Sequence, residues 1–174
     1  MLLLIIKNCD KILTMITHIL DPYNLDIILK LFVALLLGFI IGTERTWAHK
    51  IAGMRTYALV SMGSALFVIV SSEMIKAYAG FAGMNPLMIV SQIVVGIGFL
   101  GTGLIFSHDS NIMGMTTATG LWVSAGIGMA SGFGLFNIAI IATIFTVFVF
   151  MVLWMVEKKV KETKWCGDNN KNKE

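Results

Sequence analysis

From Ser110 through Val156 the chain runs for 47 residues without an Asp, Glu, Lys or Arg. A helix crosses a membrane with about 20 apolar residues, so this stretch predicts two helices and a turn rather than one helix of twice that length. A second charge-free stretch runs from Ala77 through His108. Domains surrounded by water carry about a quarter charged residues. Here 13% of residues are charged and 57% are hydrophobic. So little charge predicts lipid, not water, around most of these side chains.

Proline and glycine punctuation places five spans. They fall at Leu25–Thr43, Thr56–Ser72, Leu87–Phe106 (opened by Asn85-Pro86), Thr116–Ser131 and Phe133–Val156 (after Ser131-Gly132-Phe133-Gly134). The expected fold is all-α: a polytopic membrane bundle of about five transmembrane helices. Residues 1–24 form a separate segment in which Lys7, Asn8, Asp10, Lys11 and His18 interrupt the apolar residues. An amphipathic helix lying on the membrane suits that pattern; a sixth span is the alternative. The apolar run Met1–Ile6 leads into charge without a small-residue cleavage site, so no cleavable signal peptide is expected. Residues 25–156 make the membrane domain and residues 157–174 a basic tail.

Basic residues fix the expected orientation, because Lys and Arg are retained on the cytoplasmic side. With the N-terminus outside, the inner segments carry Arg45, Lys50, Arg55, Lys158, Lys159, Lys161, Lys164, Lys171 and Lys173, against Lys7, Lys11, Lys30 and Lys76 outside. The expectation is N-out, C-in, with Trp154 and Trp165 bracketing the last inner interface.

A net charge of +3 placed at the edges of apolar blocks is a topology pattern and predicts no nucleic-acid partner. Cys9 and Cys166 stand far apart without CxxC or Cys/His neighbours and are expected to be free and inert. No GxxxxGK[ST] phosphate loop or His/Cys cluster occurs, and no acid pair inside the expected bundle. Neither an enzyme, a cofactor nor a metal site is expected. With Glu44 and Asp109 the only acids among the motif segments on the inner face, and Arg45 and Arg55 flanking Glu44 in sequence, that face suits an anionic group or a protein acid better than a bare divalent cation.

Gly96-Ile-Gly-Phe-Leu-Gly101 spells GxGxxG, but a dinucleotide site needs the motif between a strand and a helix. Inside a membrane helix, Gly96, Gly98, Gly101 and Gly103 are expected to let another helix approach, as are Gly120 and Gly128. Glu44, Arg45, Arg55 and Thr56 mark the facing ends of the first two spans. They predict a cytoplasmic clasp or a direct ligand or partner role, with Thr116 and Thr117 opening the fourth span nearby; a plain surface ion pair, and helix capping by the threonines, are the bland alternatives. Gln92, a large amide well inside the third span, is expected to hydrogen-bond across the bundle. Asn85 belongs to the turn before Pro86. A weak repeat also exists: a shift of 61 residues lays Gly42, Gly53, Met54 and Thr56 on Gly103, Gly114, Met115 and Thr117.

Gly38-Phe-Ile-Ile-Gly-Thr-Glu-Arg45, Ala52-Gly-Met-Arg-Thr-Tyr-Ala-Leu-Val60, Gln92-Ile-Val-Val-Gly-Ile-Gly-Phe-Leu-Gly-Thr-Gly103 and Gly114-Met-Thr-Thr-Ala-Thr-Gly-Leu-Trp122 resemble, in order, the motifs of the MgtC/SapB membrane proteins. The resemblance covers roughly residues 25–150. It implies a bacterial inner-membrane bundle associated with low magnesium, virulence inside host cells and acid or other stress adaptation. It also implies a regulator more than a pump: an oligomer binding another membrane protein, the ATP synthase in some members. A small ion or solute transporter is the alternative, with a magnesium-transport label attached to the family. Two departures limit the carry-over. The soluble C-terminal domain of MgtC has no counterpart in the tail from residue 157, and Asn85 stands where many members have Asp.

Overall fold

The computed structural model describes residues 21–78, 85–108, 111–156 and Lys159. The expected interfacial segment up to residue 20, both cysteines, Asp109, Trp165 and the tail apart from Lys159 lie outside the described residues. Five helices occur among those described: α1 (Pro22–Trp47), α2 (Met54–Ala77), α3 (Pro86–Thr102), α4 (Met115–Gly132) and α5 (Phe136–Phe148). A π-helical turn, Val149–Leu153, extends α5, and a short antiparallel ribbon, β1 (Phe106–His108) with β2 (Asn111–Met113), joins α3 to α4.

Local chemistry sets the ends. Pro22 and Pro86 sit in the first turns of α1 and α3, where a missing N–H is harmless. Asn85 caps α3, its side-chain oxygen accepting the Leu87 N–H at 2.9 Å. α1 begins three residues before the expected Leu25, because Pro22 starts a helix rather than ending a linker. α3 stops at Thr102, short of the expected Phe106, and the chain turns extended at Phe106.

Small residues bring the helices together. An added Cβ at Gly38 would stand 2.6 Å from the Tyr57 carbonyl oxygen, one at Gly42 would collide with Met54, and one at Gly128 would overlap the backbone of Ser61. α2 therefore packs closely on both α1 and α4, and α4 touches all four other helices. The Ser61 hydroxyl donates to the Ala34 carbonyl at 2.7 Å, and the Ser124 hydroxyl donates to the Tyr57 carbonyl at 3.1 Å. Ser61, Ser64, Thr117, Ser124, Ser131 and Thr143 are buried, whereas Phe32, Phe67, Val95, Phe99 and Phe145 are more than half exposed. Small and polar residues inside with large apolar residues outside is the arrangement of a bundle in lipid, where close backbone approach and hydrogen bonds replace hydrophobic drive between helices.

Among the described residues three stretches are long and apolar enough to cross a membrane: Pro22–Trp47, Met54–Ala77 and Phe136–Val156. α3 is apolar but short at 17 residues. α4, with 18 residues, is lined with Gly, Ser and Ala and is the most buried of the five. The chain is a membrane protein with an all-α bundle.

The residues matched by the 61-residue shift do different jobs. Gly42 presses on Met54, but a Cβ at Gly103 would meet only the Leu100 carbonyl oxygen of its own turn. Gly53 is extended, whereas Gly114 sits at φ +88° with no room for a side chain beside Leu104.

Candidate functional site: a buried ion pair beside a polar cavity

The Gly-Thr-Glu-Arg end of α1 closes with a tight C-terminal turn. His49, at φ +53°, donates its N–H to the Thr46 carbonyl (3.1 Å), and Lys50 donates to the Arg45 carbonyl (3.0 Å). This pairing satisfies carbonyls left over at a helix end and needs a left-handed residue between them, usually Gly. Here His49 supplies it. The turn sends the chain back over the helix end and sets Lys50 beside Arg45 on one cavity wall.

Glu44 and Arg45 pair with each other. The Arg45 Nε donates to one Glu44 oxygen and Nη2 to the other at 2.7 Å, and their side chains are 3% and 9% exposed for Arg45 and Glu44. The Arg45 guanidinium also lies 3.6 Å from the centre of the Phe150 ring. A cation over an aromatic face away from water gains about 2 kcal/mol. Phe150 reaches it because the π turn leaves residue 150 buried between exposed Val149 and exposed Met151. Gly120 makes the space: a Cβ there would stand 2.5 Å from the Tyr57 hydroxyl and 2.6 Å from Phe150 Cζ. The fully buried Tyr57 donates its hydroxyl to the Thr117 carbonyl at 3.0 Å. One cluster thus ties α1, α2, α4 and α5 together.

Next to it lies a cavity of about 320 Å³ whose walls include Arg45, Lys50, Gly114, Thr116, Thr117 and Trp154. Glu44 faces a different cavity, of about 420 Å³, with Trp47 and Met151.

The expected clasp is differently made. Arg55 and Thr56 are exposed in the first turn of α2. The face of α2 turned to its neighbours carries Tyr57, Ala58, Ser61, Ser64 and Ala65, and residues 55 and 56 lie off it. At this end Thr46 links α1 to α2: its hydroxyl accepts the Met54 N–H at 3.0 Å and donates to the Gly42 carbonyl at 3.0 Å. Gly53 must be small there, since its Cβ would stand 2.5 Å from Thr46 Oγ1. Thr46, Tyr57 and Phe150 were not legible as site residues; a Phe in an apolar run carries no distinguishing mark.

The glycines divide. Gly120 and Gly128 pack as expected, and Gly101 meets the Ala118 Cβ at 3.6 Å. Gly96 and Gly98 have nothing within 4 Å of an added Cβ, so among the described residues they do not serve packing. Nor, among the described residues, does Gln92 bond across the bundle. It is exposed, on a groove of about 530 Å³ between α2 and α3 that Gly63, Ser64, Phe67 and Gly96 also line. The carboxylates of Asp26, Glu44 and Glu73 are each engaged by a neighbouring cation, Lys30, Arg45 and Lys76.

These features define a small helical membrane protein with a buried ion pair and a polar cavity at one end of a glycine-packed bundle. The MgtC family profile matches residues 31–159, and the chain belongs to that family. It is 39% identical over 144 residues to Protein MgtC of Salmonella typhimurium (strain LT2), covering 83% of this chain and 59% of that protein. It is 44% identical over 116 residues to Protein MgtC of Brucella abortus, covering 67% and 46%. It is 40% identical over 135 residues to YhiD of Escherichia coli K12, whose name carries a provisional magnesium-transporter reading, covering 73% and 60%. The chain thus spans about 60% or less of the length of these relatives. No solved structure matches it.

Proposed function

We propose that this chain is a multi-pass, non-enzymatic regulator of the bacterial inner membrane, N-out and C-in, that acts by holding a transmembrane helix of another membrane protein. Adaptation to low magnesium, acid or life inside a host is the setting that its family resemblance implies. The observation that carries the reading is the α2–α3 groove. Its floor has open glycines at Gly63 and Gly96, and the Gln92 amide sits on its wall. An amide facing hydrocarbon without a partner is costly, and interhelical hydrogen bonds of such groups contribute about 0.6 kcal/mol on average. A helix bearing a polar side chain meets both needs, for close approach and for a hydrogen bond.

A second reading, a small ion or solute transporter, draws on the name of the Escherichia coli relative. Its route would be lined by Gln92 and the α4 threonines, but Gln92 and Thr117 line separate cavities, which favours the regulator. The test is a Gly96→Cys variant with Cys9 and Cys166 replaced by Ser, crosslinked in native membranes and identified by mass spectrometry. A discrete adduct with one membrane protein, reduced by Gln92→Leu, is expected. Adducts only with itself would make the groove a self-association seam. Gln92-dependent flux of Mg²⁺ in protein-only liposomes would overturn the regulator in favour of the transporter.

A further inference from the structure

We infer that the cavity at the start of α4 binds a phosphate group, held by Lys50, the Arg45 guanidinium, the Thr117 hydroxyl and the first-turn N–H groups of α4. The inference is independent of the α2–α3 groove. Three observations converge on it. α4 starts at Gly114 with no side-chain cap and no acid in its first turn, so the N–H groups of Met115, Thr116 and Thr117 have no helical acceptor. Helix starts of this kind attract oxyanions by dipole and by donated hydrogen bonds.

Thr117 points the same way. It is 3% exposed and its carbonyl is taken by Tyr57, yet its own hydroxyl has no partner among the described residues. Thr43, Thr46, Thr102, Thr119, Thr143 and Thr146 each donate back to a carbonyl one turn earlier, whereas Thr56 and Thr116, in first turns like Thr117, do not and are exposed to the surroundings instead. No fully enclosed side-chain oxygen or nitrogen lacks a partner among the described residues. The unspent Thr117 hydroxyl therefore opens into the cavity its residue lines.

The charge pattern completes the site. Arg45 spends Nε and Nη2 on Glu44 and keeps Nη1, while Lys50 adds a cation that Glu44 does not reach. Glu44 offsets Arg45, so the cavity holds a net excess of about one positive charge plus the helix dipole, roughly half a charge more. Charge-assisted donors of this number and sign suit a phosphate oxyanion. Trp154 at the rim, an aromatic side chain of the kind found at membrane interfaces, suits either a lipid headgroup phosphate or a soluble one.

The experiment uses the full chain in a background where Trp47, Trp122 and Trp165 are Phe, leaving Trp154 as reporter. Potassium phosphate is titrated against potassium chloride at equal ionic strength, reading Trp154 emission and thermal unfolding in detergent. Nanodiscs of phosphatidylcholine with and without phosphatidylglycerol form the lipid arm. A saturable response is expected in one arm, weakened about tenfold by Lys50→Gln and by the isosteric Thr117→Val, and unchanged by Lys76→Gln at the far end of α2. A response to free phosphate names a soluble ligand; a response only to the anionic lipid names a headgroup. No saturable response in either arm, or full binding by a folded Thr117→Val protein, would overturn the assignment.

Discussion

At the residue scale, the pair Glu44–Arg45 is the most consequential feature, because both side chains are nearly sealed from the surroundings. Removing one partner strands the other. Glu44→Gln leaves Arg45 without a counter-charge, with a neutral amide oxygen and the Phe150 ring in its place, and breaking a buried pair this way costs about 3–5 kcal/mol. Glu44→Gln with Arg45→Met removes both charges and is expected to be less damaging than the sum of the single changes. Thermal unfolding in detergent, run as a double-mutant cycle, checks this; additive losses would show that the two side chains do not act as a unit. A milder prediction concerns His49, held left-handed at φ +53°. His49→Gly relieves a conformation that costs non-glycine residues about 1–2 kcal/mol, so its melting temperature should rise. Glu44 was conspicuous in the sequence because an acid at a membrane edge needs a reason to be there. Its true companions were less so: Arg45 beside it in the chain was visible, but Phe150 became a partner only through the π turn, which no residue pattern announces.

At the scale of the elements, glycines decide which helices touch. Gly128 lies against the Ser61 backbone, so Gly128→Ala must push α4 off α2. Overpacking of that kind costs about 1–3 kcal/mol. Gly96→Ala meets open space and gains helix propensity of about 1 kcal/mol. The two variants should therefore move the melting temperature in opposite directions; a loss at Gly96 in the isolated chain would mean that α3 packs more tightly than it does here. The helices themselves were readable from charge gaps and from Pro22 and Pro86. Which glycine faces a neighbour was not. Nearly every face of these helices is apolar, so hydrophobic periodicity carries no inside-outside information. The β1–β2 ribbon was equally hidden, since three-residue strands are too short to show an alternating pattern.

For the whole molecule, the class of protein was legible because lipid tolerates so little charge, and the comparisons agree on the family. Sidedness rests on a different principle, the retention of Lys and Arg on the inner face, and α2 offers the cleanest test of it. Its 24 residues span about 36 Å at 1.5 Å per residue, enough to cross a hydrocarbon layer of about 30 Å. Arg55 and Lys76 stand exposed at its two ends. In a background without Cys9 and Cys166, Arg55→Cys should react with a membrane-impermeant thiol reagent only after the cytoplasmic face is opened, and Lys76→Cys in intact cells. Reversal of both would keep the bundle and invert the topology, placing the Arg45–Lys50 cavity outside, where no cytoplasmic phosphate could reach it. Labelling of both from one side would mean that α2 does not cross at all. α2 would then be wrongly placed in the membrane, and with it α1 and α4, whose glycines lie against its backbone.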